Sequence, residues 1–258
     1  SLKAVVFDWA GTMIDFGSFA PMGVFVKAFA EFGIPVSIAQ ARGPMGLPKW
    51  DHVQAMLAMP EIAAAWQAKH GHAPTRDDVD AVYKVFVPMN EIAVVDYCTL
   101  IPGAKSTYDQ LLAAGLKVGS TTGYTRSIMA NVLPLAAQQG YAPSCLVCAD
   151  DLPHGRPTPM GMYKCFVDLD VWPASAVLKV DDTAPGIAEG VAAGCPTVGL
   201  ALSGNEAGLT AEQFAAMSEA EKAPIRARCT QVLKDAGADF VIDTVADLPE
   251  LMRRQGWL

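Results

Sequence analysis

Apolar and polar positions follow one another along the chain in three different patterns. The first is a run of four apolar residues that ends in Asp8 and continues into small residues and a hydroxyl at Thr12. It predicts a buried strand whose carboxyl end carries an acid, the place where α/β proteins bind their ligands. An isolated Asp after a strand is more often a cap for the next helix or turn, so two later motifs decide between these interpretations.

The second pattern begins after Phe16 and has apolar residues at helical spacing with little strand character. Glycine and proline interrupt it, and Thr75 fits an N-cap. We predict helices over residues 19–32, 38–45, 49–59, 60–70 and 77–96. Because this block separates the first strand from any partner strand, we interpret residues 17–97 as an all-helical insertion. Insertions directly after a catalytic strand often act as lids.

The third pattern begins after Ile101 and alternates strands with helices, ending with a long helical region over 211–236, a short strand and a final helix. We predict strands over residues 116–121, 145–148, 176–180, 197–200 and 240–242. Helices between successive strands imply right-handed crossovers and a doubly wound parallel sheet. The predicted fold class is therefore α/β, with a core of residues 1–16 and 98–258 and a helical insertion of residues 17–97.

Composition and charge exclude several classes of protein. Hydrophobic residues make up 52% of the chain, which rules out global disorder. The net charge of −8 argues against nucleic-acid binding, which needs a basic face, but it allows a small anionic substrate held by local cations or a metal. The chain has no run of eighteen apolar residues and begins with a strand pattern, so we expect no membrane span and no signal peptide.

The six cysteines are scattered through apolar segments, and we interpret them as reduced core residues of a cytoplasmic protein. Cys145 and Cys148 have the spacing of a redox or zinc motif. They lie in a strand-like run with no second pair, so a structural role is favoured.

Two adjacent carboxylates, Asp181 and Asp182, follow the strand predicted over 176–180. Adjacent carboxylates repel each other unless a cation lies among them. Asp8 and Asp182 are expected at the same edge of the sheet, and Mg²⁺ prefers carboxylates, carbonyls and waters as ligands. We therefore predict a Mg²⁺ site at this edge.

Two further features fit phosphate. The strand predicted over 116–121 runs into Thr122 and Gly123 before a helix, where backbone N–H groups and hydroxyls can cradle phosphate, although such residues are also ordinary caps. Arg156 lies in a loop between strands. An arginine more commonly forms an ion pair at the surface. Beside a metal and a phosphoryl group, Arg156 would instead bind phosphate oxygens through two of its N–H groups.

Taken in order, a DxxGT strand end, a Ser/Thr strand end, a basic residue and a DDT strand end resemble the haloacid dehalogenase (HAD) superfamily. The chain is more similar still to the phosphonoacetaldehyde hydrolase (phosphonatase) family within it. This resemblance spans the whole chain and is carried by the segments FDWAGT (7–12), PMGLPK (44–49), GSTTGYTR (119–126) and GRP (155–157). It implies a HAD-like Rossmannoid core with a helical cap, and hydrolysis of the P–C bond of phosphonoacetaldehyde to acetaldehyde and phosphate.

Residue 10 departs from the general superfamily pattern, in which a second Asp protonates the leaving oxygen. Ala10 cannot donate a proton, so the departure of the leaving group has to be assisted in another way. A lysine does this when the substrate has a carbonyl, because it condenses to an iminium and the carbon leaves as a neutral enamine. Lys49 matches the family's imine-forming lysine, although a helical lysine is more often solvated. Its pKa must fall from about 10.4 toward neutrality, and burial under a closed lid would lower it.

The resemblance implies the remaining roles. The catalytic residues are Asp8 as nucleophile, Lys49 as Schiff-base lysine, and His52, Tyr124 and Met45 as helpers of the lysine. The residues that bind the phosphonate are Thr122, Gly123, Arg156, Gly11 and Thr12. The ligands of Mg²⁺ are Asp8, the backbone carbonyl of Ala10 and Asp182. A homodimer through the cap is also implied, with apolar area from Phe19, Phe25, Phe29 and Phe32.

Several points stay open. Many superfamily members have GDxxxD in the last motif, whereas Asp181 replaces the glycine here and Gly186 occupies the second acidic position. Asp181 either supports the metal ligands from behind or joins the metal site directly. Ser120, Thr121 and Thr122 compete as the phosphate-binding hydroxyl, and Thr122 is favoured because it precedes Gly123. His52 could equally be a core histidine. Alternative functions are a Mg²⁺-dependent phosphomonoesterase or phosphomutase of the same fold and a non-catalytic binding member.

Overall fold

Six parallel strands form one sheet in the computed structural model, which describes all 258 residues. The strands are β1 (Ala4–Phe7), β2 (Lys117–Thr121), β3 (Cys145–Val147), β4 (Val177–Asp181), β5 (Thr197–Leu200) and β6 (Phe240–Ile242). Their order across the sheet is β3-β2-β1-β4-β5-β6, so the direction of winding reverses between β1 and β4. The prediction of a doubly wound parallel α/β sheet is confirmed, and such a reversal point is where ligands bind in these folds.

The central strand β1 is completely buried, with all four of its side chains at 0% exposure. An unbroken apolar run is what a strand covered on both faces requires. Phe7 pairs with Ser120 of β2 on one side and with Val180 of β4 on the other. The three strands therefore end at the same level, and the residues that follow them meet at one edge of the sheet.

Six helices lie between β1 and β2, and the first five fall in residues 17–97: α1 (Phe19–Glu31), α2 (Ile38–Arg42), α3 (Lys49–Leu57), α4 (Pro60–His70) and α5 (Arg76–Ala93), followed by a 3-10 turn over Val94–Tyr97. The other seven helices flank the sheet: α6 (Ala104–Ala113), α7 (Arg126–Gln138), α8 (Met160–Leu169), α9 (Ala184–Ala193), α10 (Ala211–Ala216), α11 (Glu219–Asp235) and α12 (Leu248–Arg254). Single-turn 3-10 helices cover Ala149–Asp151, Ala174–Ala176 and Val245–Asp247.

The helices α1 to α5 have an apolar interior of their own. Phe25 of α1 stacks on Phe86 of α5 with ring centroids 4.2 Å apart, and Phe25 and Phe29 are both fully buried. The sequence predicts that four phenylalanines supply apolar area to a dimer. For Phe25 and Phe29 this prediction is wrong, because α1 turns both side chains into the interior. Phe19 and Phe32 are half-buried.

Two predicted helices are shorter than expected for local reasons. The helix predicted over 38–45 ends at Arg42, because Pro44 has no N–H with which to continue the hydrogen-bond ladder, and the N–H of Met45 instead donates to the carbonyl of Arg42 over 3.1 Å in a tighter turn. The helical region predicted over 211–236 is interrupted after Ala216, because Ser218 is extended and its hydroxyl accepts the N–H of Glu221, which starts α11 afresh. The predicted cap at Thr75 is present: its hydroxyl accepts the N–H of Asp78.

None of the helices is both long and apolar enough to cross a lipid bilayer. All six cysteines are buried and none is in a disulfide. Cys145 lies 3.4 Å, sulfur to sulfur, from Cys165 of α8, and not beside Cys148.

Candidate active site

Three carboxylates meet at the carboxyl edge of β1 and β4. Asp8 follows β1, Asp181 is the last residue of β4, and Asp182 follows it. One oxygen of each lies within 4.8 Å of the others, and all three residues are buried. The parallel register causes this meeting, as the strand ends in the sequence suggested.

Asp182 is held by neutral donors. The Thr12 hydroxyl donates to its Oδ1 over 3.2 Å, and the backbone N–H of Asn205 donates to its Oδ2 over 2.8 Å. Gly11 leaves the space for this carboxylate, since a Cβ there would lie 2.2 Å from Oδ2. Burial, reinforced by the neighbouring Asp8, raises the pKa of Asp182 well above its ordinary value, and burial likewise raises the pKa of Asp8.

Asp181 accepts hydrogen bonds on one oxygen and forms ion pairs with the other. Its Oδ1 accepts the N–H and the hydroxyl of Thr183, each over 3.0 Å. Its Oδ2 lies 3.1 Å from Nζ of Lys179 and 3.3 Å from Nη2 of Arg156. Burial would raise the pKa of this carboxyl, but the two cations outweigh burial and hold the pKa below its ordinary value.

Gly186 accounts for the unusual last motif. A Cβ at residue 186 would lie 1.9 Å from Oδ2 of Asp181 and 2.0 Å from its Cγ. The carboxylate of Asp181 therefore fills the space that an acidic side chain at position 186 would need. The usual motif has glycine at position 181 and an acid at position 186, and this chain has the reverse. Either arrangement leaves a single carboxylate in this buried space.

Replacing Gly186 with Asp is expected to destabilise the fold by about 3 kcal/mol, because two side chains then compete for one buried space. Exchanging both residues, Asp181→Gly with Gly186→Asp, should recover most of this loss. Thermal unfolding measures both variants, with Gly23→Asp as control because a Cβ at Gly23 meets no atom within 4 Å. A single variant as stable as the parent, or a double variant no better than the single, contradicts the explanation.

Arg156 is buried at 6% exposure, so it is not a surface ion pair. Its Nη2 donates to Oδ1 of Asp8 over 2.9 Å, and its Nε donates to Oε2 of Glu189 over 3.2 Å. The same Nη2 also lies 3.0 Å from the hydroxyl of Thr121. The guanidinium is thus fixed between the carboxylate after β1 and the helix α9.

Lys179 and Glu189 belong to the same buried network and were not identified from the sequence. Nζ of Lys179 donates to the Thr121 hydroxyl over 2.7 Å and lies 3.1 Å from Oε2 of Glu189. Thr121 in turn donates to Oε2 of Glu189 over 2.8 Å. The available indication was a lysine within the otherwise apolar run Val177–Val180, because a fully buried lysine needs a carboxylate partner.

The charges of this network favour a divalent cation. Four buried carboxylates (Asp8, Asp181, Asp182 and Glu189) face two buried cationic side chains (Arg156 and Lys179). A doubly charged ion would bring the group to neutrality and relieve the repulsion that, after burial, raises the pKa values of Asp8 and Asp182. Asp182 has no cationic partner, and the carbonyl oxygen of Ala10 accepts no hydrogen bond. The residues present thus fit a divalent cation between Asp8, Ala10 and Asp182, with oxygen ligands of the kind that Mg²⁺ and Mn²⁺ prefer.

Lys49 is the first residue of α3 and is buried at 3% exposure. Its Nζ donates only to the sulfur of Met45, over 3.9 Å, and lies 5.2 Å from the ring centroid of Tyr124 and 5.9 Å from that of Phe25. Burial lowers the pKa of this amine to about 8, even though Asp8 opposes the shift. A solvated helical lysine would show none of these features.

His52 and Tyr124 lie beside this lysine, but they differ in their hydrogen bonding. Nε2 of His52 is 2.8 Å from the carbonyl of Ala41, its ring stacks on Phe25 at 3.8 Å, and its Nδ1 has no partner. Burial lowers the pKa of His52 well below its ordinary value, so the ring is neutral. The hydroxyl of Tyr124 is buried without a partner, and burial raises its pKa well above 10.

The three candidate hydroxyls after β2 have different surroundings. Ser120 donates to the carbonyl of Cys145, and Thr121 is enclosed by the Lys179 network. Thr122 accepts the N–H of Tyr124 and, with Gly123, lines a small cavity. Only Thr122 of the three borders the space where a phosphate could bind.

The cavity collects residues from both parts of the chain and has a volume of about 20 Å³, enough for about one water molecule. It is lined by Asp8, Ala10, Ser18, Pro21, Met45, Gly46, Lys49, Thr122, Gly123, Tyr124, Arg156 and Thr183. Residues 46–48 press on the sheet edge, since a Cβ on Gly123 would lie 2.6 Å from the carbonyl oxygen of Leu47. A cavity of this volume holds nothing much larger than water, so a substrate can enter only if these residues move.

Comparisons with known proteins agree on one family. Residues 2–194 match the model of the haloacid dehalogenase-like hydrolases. A phosphonoacetaldehyde hydrolase of Paraburkholderia phytofirmans is 49% identical, covering 96% of this chain and 92% of that protein. One from Klebsiella pneumoniae is 47% identical, covering 97% and 94%.

Solved structures place the fold in the same group. A phosphonoacetaldehyde hydrolase-like protein from Oleispira antarctica is 43% identical and superposes with a TM-score of 0.96, covering 98% of this chain and 92% of that one. A β-phosphoglucomutase from Clostridium difficile, 15% identical over 100% and 97% of the two chains, has a TM-score of 0.70. At that identity the second similarity establishes the fold alone.

Proposed function

The chain belongs to the haloacid dehalogenase-like hydrolases and, within them, to the phosphonoacetaldehyde hydrolases, and on that premise we propose that it hydrolyses the P–C bond of phosphonoacetaldehyde. The products are acetaldehyde and phosphate. The observation that carries this proposal is the buried amine of Lys49, with a pKa of about 8, lining the same cavity as Asp8 and Ala10. An amine poised near neutrality beside a nucleophilic carboxylate suits a substrate that has both a carbonyl and a phosphonate.

Lys49 supplies the means of breaking the P–C bond. Its neutral amine adds to the aldehyde and, with loss of water and uptake of a proton, forms an iminium. When the P–C bond breaks, its electron pair moves through the adjacent carbon to the iminium nitrogen and leaves a neutral enamine. Protonation of the enamine carbon and hydrolysis then release acetaldehyde and restore the amine. No acid at residue 10 is needed, because no alkoxide leaves.

Asp8 accepts the phosphoryl group. Its carboxylate attacks phosphorus opposite the departing carbon and forms an aspartyl phosphate, which water hydrolyses to phosphate and Asp8. Arg156 donates to Oδ1 of Asp8 and borders the cavity, and its Nη1, which otherwise donates only to the carbonyl of Gly46 over 3.3 Å, keeps a second proton for a phosphonate oxygen. Thr122 and Gly123 border the same space and offer a hydroxyl and a backbone N–H. Gly11 and Thr12 complete the site by shaping and holding the pair Asp8 and Asp182.

We assign the cation as Mg²⁺, with Asp8, the carbonyl of Ala10 and Asp182 as its protein ligands. When bound, it neutralises charge on the phosphonate oxygens and on the two carboxylates. Asp181 supports this group from behind, because both of its oxygens are already engaged.

Three neighbours tune the lysine. Met45 offers a weakly accepting sulfur, and the neutral ring of His52 adds no positive charge beside the amine. The unpartnered hydroxyl of Tyr124 is available to hold the aldehyde oxygen or the water that leaves during imine formation. All three surround Lys49 with apolar or neutral groups, which keeps its pKa low.

The amine of Lys49 is expected to titrate with a pKa of about 8 in the folded protein, about two units below the pKa of a solvated lysine. Because the neutral amine attacks, kcat/KM should rise about tenfold per pH unit below pH 8 and level off above it. NMR of ¹³Cε-labelled lysine measures the pKa directly, with Lys49→Met assigning the signal. A titration midpoint near pH 10 for Lys49 contradicts the proposal that its pKa is lowered.

We further propose that residues 17–97 form a cap that opens to admit substrate, and that two copies associate through it. Exposed apolar side chains at the end of α5 and in the following turn support this contact: Ile92 is 76% exposed and Val95 is 47% exposed. The buried, unpaired cysteines fit a cytoplasmic location. Light scattering distinguishes the dimer from a monomer.

The function is tested by incubating the purified protein and Mg²⁺ with phosphonoacetaldehyde while acetaldehyde and phosphate are measured separately. Equal amounts of both products are expected. An alkyl phosphate ester, glycerol 2-phosphate, should be hydrolysed far more slowly, because its alkoxide leaving group finds no proton donor at Ala10. Rapid hydrolysis of this ester without release of acetaldehyde from the phosphonate contradicts the proposal.

A further inference from the structure

Arg42, at the end of α2, joins the helical insertion to the core of the protein. Its Nη1 donates to the carbonyl of Gly17 over 2.7 Å and to Oδ1 of Asn205 over 3.1 Å. In return, Nδ2 of Asn205 donates to the carbonyl of Arg42 over 3.2 Å. The two residues, 163 positions apart in the chain, thus form a reciprocal pair between the insertion and the loop after β5.

Asn205 also contacts Asp182, one of the two carboxylates proposed to bind the metal. Its side chain faces Arg42, while its backbone N–H donates to Oδ2 of Asp182 over 2.8 Å. The residue is buried at 3% exposure, and a Cβ on the preceding Gly204 would lie 2.3 Å from Cβ of Asp182. One residue therefore holds the insertion with its side chain and orients Asp182 with its main chain.

The segment whose carbonyl groups accept hydrogen bonds from Arg42 has an unusual backbone. Asp15, Gly17 and Ser18 all have positive φ, between 53° and 83°, at the point where the chain leaves the core for α1. The N–H of Gly17 donates to the carbonyl of Ser203, in the same loop as Asn205, over 2.7 Å. Non-glycine residues with positive φ persist only where their surroundings hold them, and Arg42 is part of what holds them here.

We propose that Arg42 and Asn205 form a latch, a positioning pair that keeps the insertion closed over the cavity and couples that closure to the orientation of Asp182. When the insertion opens, Arg42 moves away from Asn205, and the loop that carries the N–H on Asp182 loses its outer support. When the insertion closes, the lysine, the carboxylates and the loop are fixed together. This role rests on the proposed function for its catalytic consequence, but not for its structural one.

The structural consequence is measured through Lys49, which is buried when the insertion is closed. Its rate of reaction with acetic anhydride, followed by peptide mass spectrometry without substrate, reports the open fraction. Arg42→Ala and Asn205→Ala should each raise this rate about tenfold, the size expected for losing charge-assisted hydrogen bonds. The double variant should show no further increase, because the pair acts as one unit.

The catalytic consequence is measured with phosphonoacetaldehyde. Both single variants should lower kcat/KM about tenfold and raise the Mg²⁺ concentration needed for half-maximal rate, while Arg76→Ala, an exposed arginine on α5, changes neither. Asn205→Ala keeps the backbone N–H on Asp182, so it tests the side-chain latch even if an Arg42 variant fails to fold.

Folded single variants with the parental labelling rate overturn the latch, as does a double variant whose effect is the product of the two singles. If the parent protein labels as expected but releases no acetaldehyde, the function fails while the latch stands. If turnover is as proposed but labelling is unchanged in both variants, the latch fails while the function stands.

Discussion

Replacing Lys49 with methionine is expected to lower kcat/KM for phosphonoacetaldehyde by at least about a thousandfold, because the substrate then has no route to an iminium. Methionine has a similar unbranched length and suits a site lined by Met45, Tyr124 and Phe25. The fold should be as stable as the parent or more so, since a buried amine that donates only to a sulfur is replaced by an apolar side chain.

Borohydride makes the role of Lys49 visible independently of rate. Reduction during turnover should attach an ethyl group to Lys49, through the imine of acetaldehyde, and inactivate the protein. The matched control is Lys84→Met, an exposed lysine on α5 whose loss should change neither turnover nor labelling. An ethyl group on another lysine, in the parent or in the Lys49→Met variant, contradicts the assignment.

The positions of Asp8, Asp182 and Thr122 at one sheet edge could be predicted because strand ends are visible in a sequence. An apolar run that stops at a polar residue fixes where a strand delivers its side chain, and parallel strands end together. The same pattern gave the α/β fold class. The inward face of Phe25 and Phe29 could not be assigned, because helical spacing places residues on one face without stating what that face meets.

Lys179, Glu189 and Asn205 were missed for a common reason. Each acts through a partner that is distant in the chain: Lys179 and Glu189 meet at Thr121, and Asn205 meets Arg42. A single lysine in an apolar strand or an asparagine in a loop carries no local pattern that names its partner. The clash between residue 186 and Asp181 likewise appears only when α9 is placed on β4.

The proposed latch and the low pKa of Lys49 both depend on the closed position of the insertion. The amine is poised only while Met45, Phe25 and Tyr124 exclude water from it, and those groups belong to both the insertion and the core. Opening restores water and returns the pKa toward that of an ordinary lysine. On the proposed latch, closure would therefore activate the lysine and order the carboxylates in one movement.

The Asp8→Asn variant is expected to lower kcat by at least about ten-thousandfold while leaving imine formation intact. Asparagine keeps the shape of the side chain but cannot attack phosphorus to form an acyl phosphate. The fold should not suffer, because burial and the neighbouring Asp181 already raise the pKa of Asp8, and removing a charge from three clustered carboxylates relieves repulsion. Thermal unfolding should give a midpoint at or above that of the parent.

Borohydride then separates the two chemical steps. In the parent protein the P–C bond is cleaved before reduction, so Lys49 should carry an ethyl group. In Asp8→Asn the bond stays intact, so the same lysine should carry a phosphonoethyl group, and Asp109→Asn, an exposed carboxylate on α6, should behave as the parent. Finding the ethyl group on Lys49 of Asp8→Asn would show that phosphorus leaves without this carboxylate. Finding no adduct would show that Asp8 is needed to form the imine, and either result contradicts the division of roles between the strand and the insertion.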